Sequence, residues 1–242
     1  MIHGSLELLI EWLQHAKGTV VLTGAGMSTE SGIPDFRSHT GWWRNIDPRI
    51  VATVDALEHN YDLFYDFYCM RLERLKNCKP HEGHYILASL EEQGLISSVA
   101  TQNVDGFHKA AGSNKVYELH GNIHHIRCHE CQQPSTINAF LAKENCSSCG
   151  GKLRPGIVLF GEFLPESAWA KALGSIQQAD LVIVIGTSLE VYPVNQLPSM
   201  TNGRTVYINM EVDEYENEFD LIIQGSAKEV LQAIKERVDI AR

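Results

Sequence analysis

Val20-Val21-Leu22-Thr23-Gly24-Ala25-Gly26-Met27-Ser28-Thr29-Glu30-Ser31-Gly32-Ile33-Pro34-Asp35-Phe36-Arg37-Ser38 begins as a β-branched run from Thr19 that halts at a Gly-Ala-Gly turn. A buried parallel strand hands over to a phosphate-binding loop in this way in doubly wound sheets. Glycines at 24 and 26 permit a tight turn and a close approach of backbone N–H groups to a pyrophosphate. The third glycine of the usual dinucleotide fingerprint is missing, and Thr29 stands in its place. Ser31-Gly32-Ile33-Pro34 breaks any helix begun at Met27, so Asp35-Phe36-Arg37 is expected on a loop able to fold over a ligand.

Outward from that turn, strand and helix alternate. Met1 to Gln14 places Leu6, Leu9, Ile10 and Leu13 on one face and reads as a surface helix rather than an export signal. Asp55 to Lys76 has helical spacing of apolar residues and is closed by Pro80; Glu82 to Gln93 is a second helix, ended by Gly94. Ile96 to Thr101 is a strand that delivers Gln102-Asn103-Val104-Asp105 at its carboxyl end, where ligands gather in open parallel sheets. Leu181 to Ile185 is the clearest buried strand and ends in Gly186-Thr187-Ser188. Thr205 to Asn209 and Asp220 to Gln224 are further strands, with helices over Ala168 to Gln178 and Ala227 to Val238. The expected class is α/β, a doubly wound parallel Rossmann-like sheet with a smaller inserted domain. Residues 1–37, 81–123 and 156–242 are assigned to the large domain, and a helical module (38–80) with a cysteine module (124–155) to the small one.

Thirty acidic residues against twenty basic ones give a formal charge of −10, and no Lys/Arg run is present. That balance opposes direct binding to nucleic acid and favours basic peptides, as steering only. No apolar run approaches membrane-spanning length. The expected setting is cytoplasmic.

Four of the six cysteines form two pairs, Cys128-His129-Glu130-Cys131 and Cys146-Ser147-Ser148-Cys149, fourteen residues apart. Each Cys-x-x-Cys knuckle presents two thiolates at about 2.3 Å from one Zn²⁺, and two knuckles complete a tetrahedron with no open position. One structural zinc is expected, with His129 outside it; Cys69 and Cys78 read as plain thiols.

Gly24-Ala25-Gly26-Met27-Ser28 with Ser31 to Arg37 resembles the opening motif of the sirtuins, NAD-consuming protein deacylases. Thr101-Gln102-Asn103-Val104-Asp105-Gly106-Phe107-His108, Glu118-Leu119-His120-Gly121 and Gly186-Thr187-Ser188 extend the likeness, in family order, over essentially the whole chain. A lone histidine such as His120 carries little by itself, although an imidazole titrating near neutrality is a natural general base. The resemblance makes His120 the catalytic residue that draws a proton from a ribose hydroxyl of NAD. It places Gln102, Asn103, Asp105 and Ile33 in the nicotinamide pocket, with Phe36 as an apolar lid and Arg37 on the phosphates or ribose. Gly24, Ala25, Gly26 and Thr29 would form the first cofactor loop. Ala25, Gly186, Thr187, Ser188, Asn209 and Glu211 would hold the adenosine side. Val158-Leu159-Phe160-Gly161 matches the family's substrate strand, where an acyl-lysine peptide pairs main chain to main chain. Gly156 departs from the Asp or Asn common there. The implied products are lysine, nicotinamide and O-acyl-ADP-ribose.

Tyr68 and Arg71, three apart on the expected helix, share a face. Their spacing, with Ala52 sixteen residues before Tyr68, resembles the Tyr-x-x-Arg of sirtuins that remove succinyl or malonyl groups. Asp35 instead matches plain deacetylases, so both acyl classes stay open. Two other readings stand beside deacylation: ADP-ribosyl transfer from the same site, and a non-catalytic NAD-sensing module.

Overall fold

The computed structural model describes residues 2–34, 47–212 and 218–240. Helix α1 (Ile2–His15) leads into β1 (Thr19–Thr23) and a 3-10 helix over Ala25–Ser31. Helices α2 (Pro48–Val51), α3 (Val54–His59), α4 (Tyr61–Leu75) and α5 (Glu82–Glu92) precede β2 (Ser98–Thr101), the short α6 (Phe107–Ala110) and β3 (Val116–Glu118). Then come β4 (Gly121–Cys128), β5 (Pro134–Ser135), α7 (Ile137–Leu141) and β6 (Leu153–Ile157). The chain closes with α8 (Glu166–Gln177), β7 (Leu181–Ile185), a 3-10 helix over Val194–Met200, β8 (Arg204–Asn209), β9 (Leu221–Gln224) and α9 (Ala227–Ile240).

Six parallel strands lie in the order β3-β2-β1-β7-β8-β9. The chain runs outward one way from β1 and the other way from β7. Their carboxyl ends therefore bound the topological switch point, where an open α/β sheet forms its ligand crevice. Both faces are covered, which explains the unbroken apolar runs of β1 and β7. Val21, Ile183 and Ile185 pack with α1, α5 and α9, whereas Val20, Leu22, Val182 and Val184 pack with α8 and the second 3-10 helix. Each such Val or Ile, fully buried, stabilises the fold by about 1.5–3 kcal/mol relative to exposure.

The second sheet, β5-β4-β6, is antiparallel and shares a separate core with α3, α4 and α7, centred on Leu57, Phe64, Tyr68, Phe140 and Leu153. The single helix expected over 55–76 is broken here. Thr53 caps α3 by accepting the Ala56 N–H at 3.0 Å, and Asn60, at φ −140° and ψ 57°, ends it before α4 begins. Thr and Asn favour such positions because their short polar side chains compete with the helical backbone. Strands β3 and β4 were not legible in the sequence, and their junction matters most. The chain leaves the large sheet at Glu118 and enters the small one at Gly121, so His120 stands between the two. Gly121 has φ +76°, and a Cβ there would lie 3.0 Å from the Ile157 Cα of β6. No described helix is long and apolar enough to cross a membrane.

Candidate active site

A cavity of about 1630 Å³ opens at the switch point, between the two sheets. Ala25, Gly26, Thr29, Ile33, Gln102, Asn103, Asp105, His120, Gly186, Thr187, Ser188, Asn209 and Glu211 line it, as do Tyr68, Arg71 and Val158 to Gly161. The structure thus brings nearly every expected site residue to one space. Phe36 and Arg37 lie outside the described residues.

Gly24 is the exception, and its role differs from the expectation. The N–H of Gly24 donates to Ile185 O (3.1 Å) and that of Gly26 to Gly186 O (2.7 Å), so neither is available to a pyrophosphate. A Cβ on Gly26 would lie 2.8 Å from the Gly186 Cα, and one on Gly24 2.9 Å from the Thr187 Cα. These glycines let the turn after β1 close against the turn after β7. Thr29, in the third glycine's place, donates its hydroxyl to Gly26 O at 3.0 Å and steadies the same turn.

His120 Nδ1 lies 3.0 Å from Gln102 O. A carbonyl only accepts, so Nδ1 carries the proton and Nε2 keeps its lone pair. Burial lowers the imidazole's pKa from 6.5, the bond to Gln102 opposing the shift in part. The ring is neutral at neutral pH, a base whose free nitrogen is defined by its hydrogen bond. Gln102 in turn donates Nε2–H to Thr187 Oγ1 at 2.8 Å, tying the β2 loop to the β7 loop.

Asn103 and Asp105 do more than build a turn. Asn103 Nδ2 donates to Gly24 O (2.9 Å) and Ser28 Oγ (3.1 Å), while Ser28 Oγ donates to Asp105 Oδ2 (2.8 Å). Asp105 Oδ1 receives the Phe107 N–H at 2.9 Å. Burial raises the Asp105 pKa; the bonds from Phe107 and Ser28, and the Arg71 charge, pull against that rise.

Behind this network lie three histidines that the sequence reading did not single out. His84 packs edge-on against His81 and tilted against His108, with ring centroids 4.5 and 5.0 Å apart. His81 Nε2 donates to Met27 O at 2.6 Å, and His108 Nε2 meets Thr23 Oγ1 at 2.9 Å. Burial first, then the neighbouring imidazoles, push His84 down to about 2 and His108 down to about 4. The only signal for His81 and His84 in the sequence is His-x-x-His just after Pro80, which is indistinguishable there from a helix start, and His108 enters only as the last residue of the motif from Thr101.

The unfolded chain would protonate both imidazoles below about 6.5, while the folded chain does not, so stability is complete above that pH and declines as pH falls toward 4. Holding each ring neutral at pH 5 costs about 2 kcal/mol. Asp105, raised in the folded state, offsets part of this as it takes up a proton. The melting temperature should fall by roughly 10 °C between pH 7 and pH 5, and His108→Gln should flatten the slope. A flat wild-type profile in differential scanning fluorimetry would contradict this account.

The four knuckle cysteines converge, with all their Sγ atoms within 4.8 Å of one another; Cys128–Cys149 is 3.5 Å and Cys131–Cys146 3.6 Å. A tetrahedron with Zn–S of about 2.3 Å has edges of about 3.8 Å. The donor set fits one zinc ion and leaves no open position. His129 points elsewhere, its Nε2 3.4 Å from Glu58 Oε1.

The model of the Sir2 family matches residues 24–193. The chain belongs to the Sir2 family. Among sirtuin relatives, the NAD-dependent protein deacetylase of Oceanobacillus iheyensis is 46% identical over 220 residues, 89% of this chain and 93% of that one. The NAD-dependent protein deacylase of Thermococcus sibiricus is 37% identical over 238 residues, 93% of each. A solved sirtuin described as Sir2 with a p53 peptide and NAD+ superposes with a TM-score of 0.88 at 36% identity, covering 97% of this chain and 99% of its own. Another, Sir2 bound to acetylated peptide, gives 0.89 at 35%, again over 97% and 99%. The sirtuin assignment carries the fold with it, parallel sheet, second sheet and cysteine cluster together.

Proposed function

We infer that this sirtuin is an NAD-dependent protein-lysine deacylase that transfers the acyl group to ADP-ribose and releases nicotinamide. One observation carries the reading: a neutral imidazole, its Nδ1 proton fixed on Gln102 O, borders the same cavity as the Asn103–Ser28–Asp105 network. NAD, when bound, supplies an electrophilic ribose carbon with nicotinamide as its leaving group. His120 Nε2 accepts a proton from a hydroxyl of that ribose. Asn103, whose amide nitrogen is held inward by Gly24 O and Ser28, turns its acceptor oxygen to a carboxamide N–H. Ile33, Gln102 and Asp105 complete that pocket. Ala25, Thr29, Gly186, Thr187, Ser188, Asn209 and Glu211 take the phosphates and adenosine, while Gly26 borders them and holds the two loops together. Phe36 and Arg37 are assigned the lid and cofactor-positioning roles on the family motif alone. Val158 to Gly161 receive the acyl-lysine peptide.

The separate cores support the division into a large NAD lobe (1–37, 81–123, 156–242) and a small lobe (38–80, 124–155). Six free cysteines, four of them poised as zinc thiolates, suit a reducing, cytoplasmic setting. The charge of −10 supports acyl-lysine proteins as partners rather than nucleic acid.

Mass spectrometry of acetyl- and succinyl-lysine peptides, with and without NAD, tests the reading. Acyl loss matched by nicotinamide and O-acyl-ADP-ribose is expected. Nicotinamide release with ADP-ribosylated protein and intact acyl groups would favour ADP-ribosyl transfer, and NAD binding without nicotinamide release would favour a sensing module.

A second reading concerns the acyl group. Tyr68 and Arg71 are both buried and both line the cavity, with the guanidinium carbon 5.7 Å from the Tyr68 ring centre. Burial pushes the Tyr68 pKa up to about 12, so its hydroxyl remains a donor. Burial also lowers the Arg71 pKa, against which Tyr68 and Asp105 act, and an arginine still keeps its charge. A buried cation beside a donor is suited to the terminal carboxylate of a succinyl or malonyl group. Arg71→Ala is expected to lower kcat/KM for succinyl-lysine by about a hundredfold and for acetyl-lysine far less. Equal losses on both would show that Arg71 merely balances Asp105.

A further inference from the structure

Among the described residues the largest fully buried side chain is a cation, Arg154 of β6. Removing a guanidinium from water costs several kcal/mol unless it is paired and hydrogen-bonded. Here Nη1 donates to Glu162 Oε1 at 2.6 Å and Nη2 to Glu162 Oε2 at 2.8 Å, a two-pronged pair. Nη2 also reaches Ile157 O at 2.7 Å, and Nε reaches Pro155 O at 3.3 Å. Glu162 Oε2 additionally receives the Leu159 N–H at 2.8 Å, and the Glu162 N–H closes a turn onto Leu159 O at 3.0 Å.

Arg154 and Glu162 therefore bracket the segment 158–161 from both ends. Its other bonds run to the two elements that flank the cavity. The Val158 N–H donates to the carbonyl of His120 (2.9 Å), and the Phe160 N–H to Ala52 O (2.9 Å). Among the described residues no donor reaches Val158 O, which leaves that carbonyl for a peptide. The Arg154 side chain has no exposed surface and is not among the residues bordering the cavity.

We propose that the Arg154–Glu162 pair is a positioning element for the acyl-lysine substrate, holding Val158 to Gly161 in the conformation that accepts a peptide main chain. This rests on the deacylase reading of the cavity. The pair acts on peptide binding and not on the cofactor, because its bonds end on β6, on the substrate segment and, at 3.9 Å, on Arg127 of β4, and none reaches the loops after β1, β7 or β8. A glutamine at 162 offers one acceptor oxygen where the carboxylate offers two, so an Arg154 N–H or the Leu159 N–H loses its partner. A lysine at 154 keeps the charge but not the fork.

The experiment compares wild type, Glu162→Gln and Arg154→Lys by steady-state kinetics, varying peptide and NAD separately, with melting curves to establish that each variant is folded. Both variants should raise KM for the peptide at least about tenfold, with KM for NAD within about threefold of wild type. Arg154→Lys, which preserves the ion pair, should be the milder. An unshifted peptide KM in folded Glu162→Gln, with wild-type turnover intact, overturns the positioning role and leaves the deacylase reading standing. Equal rises in both KM values would show a general structural role and overturn the proposal. A wild-type protein that removes no acyl group would overturn both.

Discussion

His120→Ala is expected to lower kcat for acyl-lysine peptide by about a thousandfold, the usual scale for loss of a positioned general base. The melting temperature should hardly move. The imidazole makes one hydrogen bond to the fold, through Nδ1 to Gln102 O, and the turn around it is built by Gly121 and by the bond from Val158 N–H to His120 O, which is main chain. NAD affinity should persist, since the residues assigned to the cofactor lie on other loops. The wild-type pH–rate profile adds a second measure. Burial lowers the histidine's pKa from 6.5, so activity should fall only on the acid side, with a midpoint below that value, and the variant should lose this limb. A folded alanine variant with undiminished turnover would remove His120 from the chemistry.

Zinc removal is expected to have the largest effect on the structure. Cys128 and Cys146 are themselves part of the small-lobe core, next to Phe140, Leu153 and Ile126. Without the ion, four sulfurs crowded within 4.8 Å are left either as repelling thiolates or as protonated thiols in a site shaped for a charge of +2. Structural zinc sites of this kind contribute about 10–16 kcal/mol in isolated zinc-finger peptides, comparable to the whole margin of about 5–15 kcal/mol by which domains are stable. Dialysis against a strong chelator should therefore remove one zinc per chain and unfold β4 to β6. Activity should disappear with it, because β6 leads into the substrate segment and β4 follows His120. The six-stranded sheet, whose strands have their own core, should melt separately. Calorimetry and metal analysis together test this: a zinc-free protein with the native melting curve and full activity would refute it.

The large sheet was legible because its physics is local. β-branched runs that end at Gly-Ala-Gly and Gly-Thr-Ser, alternating with helices of 3.6-residue period, leave few alternatives to a parallel sheet. The zinc site was equally plain, since two knuckles at that spacing carry their own geometry. The break at Asn60 was harder, because a helix interrupted by a single capping residue keeps nearly the same apolar period on either side. Strand β3 is only three residues long, and β4, although eight residues long, carries two adjacent exposed histidines where an alternating pattern would show. The histidine cluster gave no warning because nothing near His81, His84 or His108 in sequence says that they meet.

Taken by itself, the order of residues determined the fold class, the family motifs, the four zinc ligands and a set of residues nearly all of which border the cavity, all of them set by patterns a few residues long. Tertiary structure alone decided which nitrogen of His120 is free and that Gly24 and Gly26 serve the approach of two loops rather than an anion. It also decided that Ser28 joins Asn103 to Asp105, and that Arg154 and Glu162 pair across residues 158–161. Each of these depends on hydrogen bonds and burial between segments far apart in the chain, and such contacts exist only once the sheets have packed.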